Sequence, residues 1–96
     1  MTYRVVFHPG ALREFDKLPA AQQRRLASLI DRLATDPGHP GAENLSDLGA
    51  YRVRAGDYRI VYAVQDDVCI VLIVKVGDRR DVYRDIDTIR ARLKRR

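Results

Sequence analysis

The stretch "AYRVRAGDYRIVY", residues 50–62, decides the fold because it alternates in polarity like a β-hairpin around a short turn. Gly56-Asp57 is a turn signal between two runs of β-branched and aromatic residues, which predicts strands over about 50–55 and 57–64. Successive side chains on a strand point to opposite faces. One face of this hairpin therefore receives apolar and aromatic side chains suited to packing on helices: Tyr51, Val53, Tyr58, Ile60 and Tyr62.

The other face of the hairpin is basic. A two-residue turn places Arg54 directly opposite Arg59. Arg52 precedes Arg54 by two residues and lies on the same face. Like charges directly across a strand pair destabilise the pairing. The pattern leaves two interpretations open: solvated surface arginines with carboxylates nearby, or a site whose charge an anion neutralises.

The N-terminal half predicts one strand and two helices. "TYRVVF" (2–7) has the composition of a strand, and Pro9 suits the first turn of a helix. Pro19 opens a second helix, which "TDPGHPG" (35–41) ends because its prolines and glycines do not continue one. Apolar residues at helical spacing form the expected buried stripes: Leu12, Phe15 and Leu18, then Leu26, Leu29, Ile30 and Leu33.

The C-terminal half predicts a further strand and a helix. Asp66-Asp67 is a second turn signal, so the apolar strand over about 68–76 should pair antiparallel with its predecessor. A terminal helix is expected from about 85, capped by Asp85 or Asp87. Ile86, Ile89 and Leu93 share one face of this helix. The order β-α-α-β-β-β-α indicates an α+β fold, in which a small, mainly antiparallel sheet packs against the two N-terminal helices and a C-terminal helix is added.

Length and composition indicate a globular chain. Ninety-six residues, 46% hydrophobic and 32% charged, fit one domain over 1–96. No apolar run is long enough to cross a bilayer, and the N-terminus lacks the apolar core of a signal peptide, so a cytoplasmic location is expected. Cys69 lies in an apolar run and is expected to be buried. His8 and His39 stand beside prolines at element boundaries, which favours a helix-entry or loop role for each, and with a single cysteine no metal site is expected.

The net charge of +5 arises entirely beyond residue 78. Residues 1–78 contain 10 Lys/Arg and 10 Asp/Glu, whereas residues 79–96 contain 8 Lys/Arg and 3 Asp. Such a segment indicates a polyanionic or acidic partner, or it complements the dipole of a terminal helix. Arginine forks bind phosphate oxygens, but arginine has no lone pair with which to act as a base. Tyr83 could act as one if guanidinium groups lowered its pKa, so this segment and the basic hairpin together favour a phosphodiester site.

The whole chain resembles the RelE/ParE superfamily of toxins from bacterial and archaeal toxin–antitoxin systems. The resemblance rests on the opening strand, "LREFDKLP" (12–19), "YRVRAGDYRIVY" (51–62), the apolar strand and "VGDRRDVYR" (76–84). It implies a small α+β fold and favours the RelE-like branch, whose members are ribosome-dependent endoribonucleases that cut mRNA in the ribosomal A site. In that branch the substrate 2′-hydroxyl attacks the adjacent phosphorus and leaves a 2′,3′-cyclic phosphate, without metal or cofactor.

The resemblance also implies roles for individual residues. Tyr83 matches the tyrosine that stacks on or helps activate the substrate nucleotide. Arg59 matches an arginine that meets the scissile phosphate, and Arg79 matches the second arginine of the transition state. The expected substrate-binding residues are Arg52, Arg54 and Arg80. The first two stand where well-known members have lysines, which leaves the general base with Tyr83 or unassigned, because arginine holds its proton.

The implied partners are an antitoxin encoded in the same operon, the ribosome with its mRNA, and operator DNA reached only through the antitoxin complex. Two other functions stay open. A ParE-like toxin would bind and poison DNA gyrase without cutting RNA, although ParE-type members usually lack the full set of catalytic side chains. A degraded member would act only as a DNA-binding corepressor with its antitoxin, and its arginine face would dock an acidic peptide.

Overall fold

The computed structural model describes residues 2–94, apart from the side chains of Val82 and Tyr83. Over these residues it shows an α+β fold with a five-stranded sheet, which confirms the predicted class. In chain order the elements are β1 (Arg4–Phe7), α1 (Pro9–Asp16), α2 (Ala20–Thr35), β2 (Glu43–Leu45), β3 (Ala50–Ala55), β4 (Tyr58–Gln65), β5 (Ile70–Asp78), α3 (Arg79–Arg84) and α4 (Ile86–Lys94). The strands lie in the order β1-β5-β4-β3-β2; β1 pairs with β5 in parallel, and the other pairings are antiparallel. None of the helices in the described part of the chain could span a membrane.

Two elements go beyond the predicted order. β2 has three residues and pairs with β3, with Glu43 opposite Arg52. A strand this short has too little alternation to be recognised, so its pairing with the longer hairpin defines it. α3 directly follows β5, where the sequence indicated only an exit through Gly77. The predicted C-terminal helix is α4, and it meets α3 at Asp85.

The predicted register of the central hairpin is confirmed. Ala55 pairs with Tyr58, and Arg54 pairs with Arg59. Gly56 has a φ of +62°, a left-handed conformation that glycine adopts without strain. The turn therefore fixes which side chains share a face, and it places the arginines together.

Helices cover both faces of the sheet. On one face α1 and α2 bury the apolar side of the hairpin in the larger core, which contains Ala11, Leu26, Ile30, Leu33, Val53, Ile60, Tyr62, Val71, Ile73 and Val76. On the other face Ile89 and Leu93 of α4 pack against Ala50 and Val61, among others. This second core does not include the arginines nearer the hairpin turn. α4 therefore covers only part of the basic face.

The buried stripe predicted for α1 is wrong in one position. Leu12 is 45% exposed, whereas Gly10 and Ala11 are buried. A Cβ built on Gly10 would lie 2.5 Å from the Arg92 guanidinium. The absence of a side chain at Gly10 therefore leaves room for Arg92 of α4 to lie against α1. The predicted role of His8 at the helix entry is confirmed, because its Nδ1 accepts a hydrogen bond from the Gly10 amide at 3.0 Å.

Tyr62 connects the segment before β2 to the sheet through a hydrogen bond. Its side chain is fully buried, and its hydroxyl donates to the Pro37 carbonyl at 2.7 Å. Burial raises the pKa of Tyr62 to about 12, so the phenol stays a donor across the physiological range. The Tyr62 ring also stacks on Tyr51, with centroids 5.6 Å apart. These contacts help to fix the approach of the chain to Glu43.

The turn between β4 and β5 differs from the prediction. Gln65 pairs with Ile70, so the loop spans residues 66–69 and β5 begins two residues later than expected. Cys69 lies in this loop with a φ of +54° and is partly exposed, so the prediction of a buried cysteine is wrong. A side chain in the left-handed region costs about 1–2 kcal/mol because Cβ crowds the backbone.

Cys69→Gly is therefore expected to raise the free energy of unfolding by about 0.5–1 kcal/mol, since the relief of backbone strain exceeds the entropy that glycine adds to the unfolded chain. Cys69→Ala is the matched control, because alanine removes the thiol but keeps Cβ. Urea unfolding monitored by circular dichroism measures both. Equal stability of the two variants would contradict a backbone origin for the effect.

Candidate nucleic-acid interface

Three arginines of the hairpin surround one concavity. Arg52, Arg54 and Arg59 line it together with Gly41 and Glu43, and its volume is about 170 Å³. The prediction that these arginines share a face is confirmed by the strand register and by this common cavity. A cavity with three guanidinium groups and a single carboxylate suits a phosphate-sized anion.

The three arginines are held differently. Nη1 of Arg59 donates to the carbonyl oxygens of Gly56 and Tyr58, each at 3.1 Å. Two backbone acceptors at the turn thus orient the Arg59 guanidinium before any ligand arrives. Arg54 is exposed. Arg52 has a side chain only 12% exposed and forms an ion pair with Glu43 of β2.

Glu43 is a cavity residue that the sequence did not indicate. It faces Arg52 because β2 pairs with β3, and β2 itself was not predicted. Its side chain is 60% exposed, so the ion pair lies at the rim of the cavity. An anion entering the cavity would compete with this carboxylate for Arg52.

Arg79 and Arg80 begin α3 beside this cavity rather than within it. They line a second concavity of about 230 Å³ with Asp57 and Asp78. Asp78 caps α3 by accepting from the Arg80 and Asp81 amides at 2.8 and 2.9 Å, and these hydrogen bonds hold the pKa of Asp78 below its usual value. Arg59 of the first concavity pairs with Gly77, the residue before Asp78 of the second, so the β4–β5 pairing brings residues of the two concavities next to each other.

Tyr83 belongs to α3 by its backbone, but its side chain lies outside the described residues. Its predicted role as base or stacking group therefore stays a prediction. Position 83 is less than two helical turns from Arg79, so both residues are carried by the same short helix. The geometry of α3 thus decides how position 83 relates to the hairpin.

A cluster of four charges surrounds the buried Lys75; its other members are partly exposed, Asp85 most of all with 43% of its side chain accessible. Lys75 on β5 is 4% exposed, and its Nζ donates to Glu14 at 2.7 Å and to Asp85 at 2.8 Å. Arg92 on α4 donates to both Glu14 oxygens, at 2.9 and 3.1 Å. The cluster joins α1, β5, α4 and the junction between α3 and α4. Two cations and two carboxylates balance, which makes the burial of charge tolerable.

The same side chains complete the backbone hydrogen bonding of β5. β1 pairs with β5 only as far as Ile73, so the next backbone groups lack a strand partner on that edge. Glu14 accepts from the Val76 amide at 3.2 Å, and Arg92 donates to the Val74 carbonyl at 2.9 Å. The cluster therefore replaces part of a missing strand.

The pKa directions agree with a fully charged cluster. Burial of Glu14 opposes its charged form, but hydrogen bonds from Arg92 and Lys75 bring its pKa below the usual value. Burial likewise opposes the charge of Lys75, but its hydrogen bonds to Asp85 and Glu14 raise its pKa. The hydrogen bond from Lys75 lowers the pKa of Asp85.

Stability should consequently fall in acid. A depressed carboxylate pKa contributes stability above the unfolded-state pKa, and this contribution is lost as the pH falls through the lower native value. The loss from Glu14 begins below about pH 4.5, its ordinary pKa. Because the pKa of Lys75 is raised, its contribution to stability is lost at alkaline pH, above about pH 10.5. Urea midpoints measured from pH 7 to pH 3 should fall less steeply for Glu14→Gln than for the wild type, and parallel curves would contradict this role of Glu14.

Within the described residues, no group of three His, Cys, Asp or Glu side chains is placed to hold a metal ion. The side chains that dominate the basic face are guanidinium groups. They can bind phosphate oxygens, neutralise charge that develops on them, and orient a strand whose phosphates follow the sheet.

Comparisons with known proteins agree with this fold. The sequence model of the ParE toxin of type II toxin–antitoxin systems, parDE, matches residues 5–83. A RelE-like toxin protein of Escherichia coli is 36% identical over 87 residues, which cover 86% of this chain and 92% of that protein. The mRNA interferase toxin RelE of Escherichia coli K12 is 27% identical, over 88% of this chain and 94% of that protein. The solved RelE–RelB complex of Pyrococcus horikoshii aligns with a TM-score of 0.69 and 34% identity, over 82% of this chain and 97% of that chain.

The fold and these relatives thus define a RelE-like toxin of a toxin–antitoxin system. The chain belongs to the ParE toxin family, within the RelE/ParE superfamily that its sequence resembles.

Proposed function

We propose that this toxin is an mRNA endoribonuclease that acts in the ribosomal A site and thereby inhibits translation. The observation that carries the proposal is the cavity in which Arg52, Arg54 and Arg59 converge, on a hairpin whose second strand pairs with the one that leads into the basic helix α3. A gyrase-binding surface does not require three guanidinium groups around a phosphate-sized space. The relatives named mRNA interferase support the same activity.

The proposed reaction needs no group beyond the RNA and the protein. The 2′-hydroxyl loses its proton and attacks the adjacent phosphorus, and the 5′-oxygen leaves with a proton, so a 2′,3′-cyclic phosphate and a 5′-hydroxyl result. Arg59 binds the scissile phosphate and stabilises the charge of the phosphorane, and Arg79 adds a second cation from α3. Tyr83 is the proposed base or stacking group, because the arginines hold their protons.

The remaining arginines bind the strand on either side of the scissile bond. Arg54 is exposed and reaches the RNA directly, whereas Arg52 exchanges Glu43 for a phosphate oxygen. Arg80 contacts the strand from the second concavity. Such contacts are electrostatic, so binding should weaken steeply with salt.

We also propose a cognate antitoxin encoded in the same operon as the partner of the free toxin. The family is defined by type II toxin–antitoxin systems, and solved neighbours are complexes of a RelE toxin with a RelB antitoxin. Operator DNA would be reached through this complex. The ribosome, and with it a cytoplasmic location, follows from the proposed substrate.

The second candidate function is inhibition of DNA gyrase, which the ParE name of the matching family favours. Brief induction in cells separates the two. The ribonuclease proposal expects broken mRNA within minutes and intact DNA, with the mRNA ends dependent on Arg59. Accumulation of gyrase-linked DNA breaks with intact mRNA would support the ParE-like function instead.

A further inference from the structure

The charge cluster around Lys75 lies next to the helix that carries the proposed catalytic residues. A Cβ built on Gly77 would lie 3.3 Å from Cβ of Asp81 in α3 and 3.8 Å from Cε of Lys75. α3 therefore rests closely on β5, with the stem of Lys75 beside it. The ammonium of Lys75 then reaches Asp85, the residue at which α3 ends.

Among the described residues, α3 is held at its start by hydrogen bonds to its backbone amides rather than by buried side chains: Asp78 caps it, and the Arg79 amide donates to the Asp57 carbonyl at 3.0 Å. Six residues are too few for a helix to be stable by itself. The side chains of α3 that the structure describes are all exposed: Arg79, Arg80, Asp81 and Arg84. The start of α3 is fixed by the Asp78 cap, and its end is marked by the Asp85 amide, which donates to the Asp81 carbonyl at 3.0 Å.

Lys75 supplies a contact that Glu14 and Arg92 do not. Glu14 and Arg92 already join α1 to α4 through two hydrogen bonds, and this link does not involve Lys75. Among the described residues, Asp85 has Lys75 as its ion-pair partner. The distinct contribution of Lys75 is therefore to hold the end of α3, rather than to pack α4 against α1.

We propose that Lys75 is a positioning residue for RNA cleavage: by binding Asp85 from within the core it fixes the last turn of α3 and so aligns Arg79 and position 83 with the arginine cavity. The proposal rests on the ribonuclease function proposed above. Lys75 itself contacts no substrate, because its side chain is only 6% exposed and both hydrogen bonds that its ammonium donates go to carboxylates.

Lys75→Met and Asp85→Asn test this proposal, with Glu14→Gln as the matched control in the same cluster. Methionine keeps the length and apolar stem of Lys75, and Glu14→Gln weakens the link between α1 and α4 while Asp85 keeps Lys75. The first measurement is single-turnover cleavage of ribosome-bound mRNA against toxin concentration. The second is hydrogen exchange at the Asp85 amide, and the third is the urea midpoint.

Lys75→Met is expected to lower the rate at saturating toxin by about tenfold or more, while the concentration for half-saturation changes by less than about threefold. Asp85→Asn should do the same, and the double variant should be no slower than either single variant, because both remove the same ion pair. Glu14→Gln should be the less stable protein but cleave within about twofold of the wild-type rate. The Asp85 amide should exchange faster in Lys75→Met than in Glu14→Gln.

Equal cleavage rates for Lys75→Met and Glu14→Gln, or unchanged exchange at Asp85 in Lys75→Met, would overturn the positioning role. Absence of RNA cleavage by the wild type is a different result, because it overturns the proposed function. In that case hydrogen exchange at Asp85 still decides whether Lys75 fixes the end of α3.

Discussion

Arg59→Ala is expected to lower the rate of mRNA cleavage by about 100-fold or more, the usual loss when a preorganised group that stabilises transition-state charge is removed. The structure gives the reason. Carbonyl oxygens of Gly56 and Tyr58 orient the guanidinium at the cavity, so its binding to a phosphorane requires little reorganisation. Cleavage of ribosome-bound mRNA measures the effect, and induced cells should resume growth.

Two controls make the Arg59 result specific. Arg59→Lys keeps the charge but loses the planar fork, so its rate should lie between those of the wild type and Arg59→Ala. Arg24→Ala removes an exposed arginine of α2 and should cleave like the wild type. Cleavage at the wild-type rate by a folded Arg59→Ala protein would show that the cavity is not the site.

Glu14→Gln is expected to lower the free energy of unfolding by about 2–3 kcal/mol, because it removes one carboxylate from a partly buried charge cluster. Glu14 is 23% exposed, so solvent screens part of the loss. Glutamine keeps one acceptor oxygen, but its amide nitrogen cannot accept the hydrogen bonds of the oxygen it replaces, which come from Arg92 and from either Lys75 or the Val76 amide. Urea unfolding at pH 7 measures the change.

Glu43→Gln is the matched control for this loss. It makes the same chemical change in an ion pair whose carboxylate is 60% exposed, and exposed pairs contribute less than about 1 kcal/mol. Equal destabilisation by the two substitutions would show that burial of the Glu14 cluster does not matter to stability.

The basic hairpin could be predicted because its information is local. The turn at Gly56-Asp57 and the alternation of polarity set the register, and the register alone brings Arg54 opposite Arg59. Arg52 follows from the same period of two. The family resemblance then added the roles, which neither the pattern nor the geometry supplies.

The charge cluster could not be predicted, because its members are far apart in the chain. Glu14 lies 61 residues from Lys75 and 78 from Arg92. A lone lysine at the end of an apolar strand was the one local signal, since such a residue needs buried partners. Glu43 was missed for a related reason: only the pairing of β2 with β3 brings it to Arg52.

The most direct test of the central claim is the mapping of 5′ ends on one mRNA in a purified translation reaction, with and without ribosomes. With the wild-type toxin we expect new 5′-hydroxyl ends at codon-phased positions in the translated region, upstream fragments ending in 2′,3′-cyclic phosphate, and no such ends with Arg59→Ala. Codon phasing reports the ribosomal A site, and the end chemistry reports attack by the 2′-hydroxyl. Intact mRNA in the presence of ribosomes and active toxin would contradict the account.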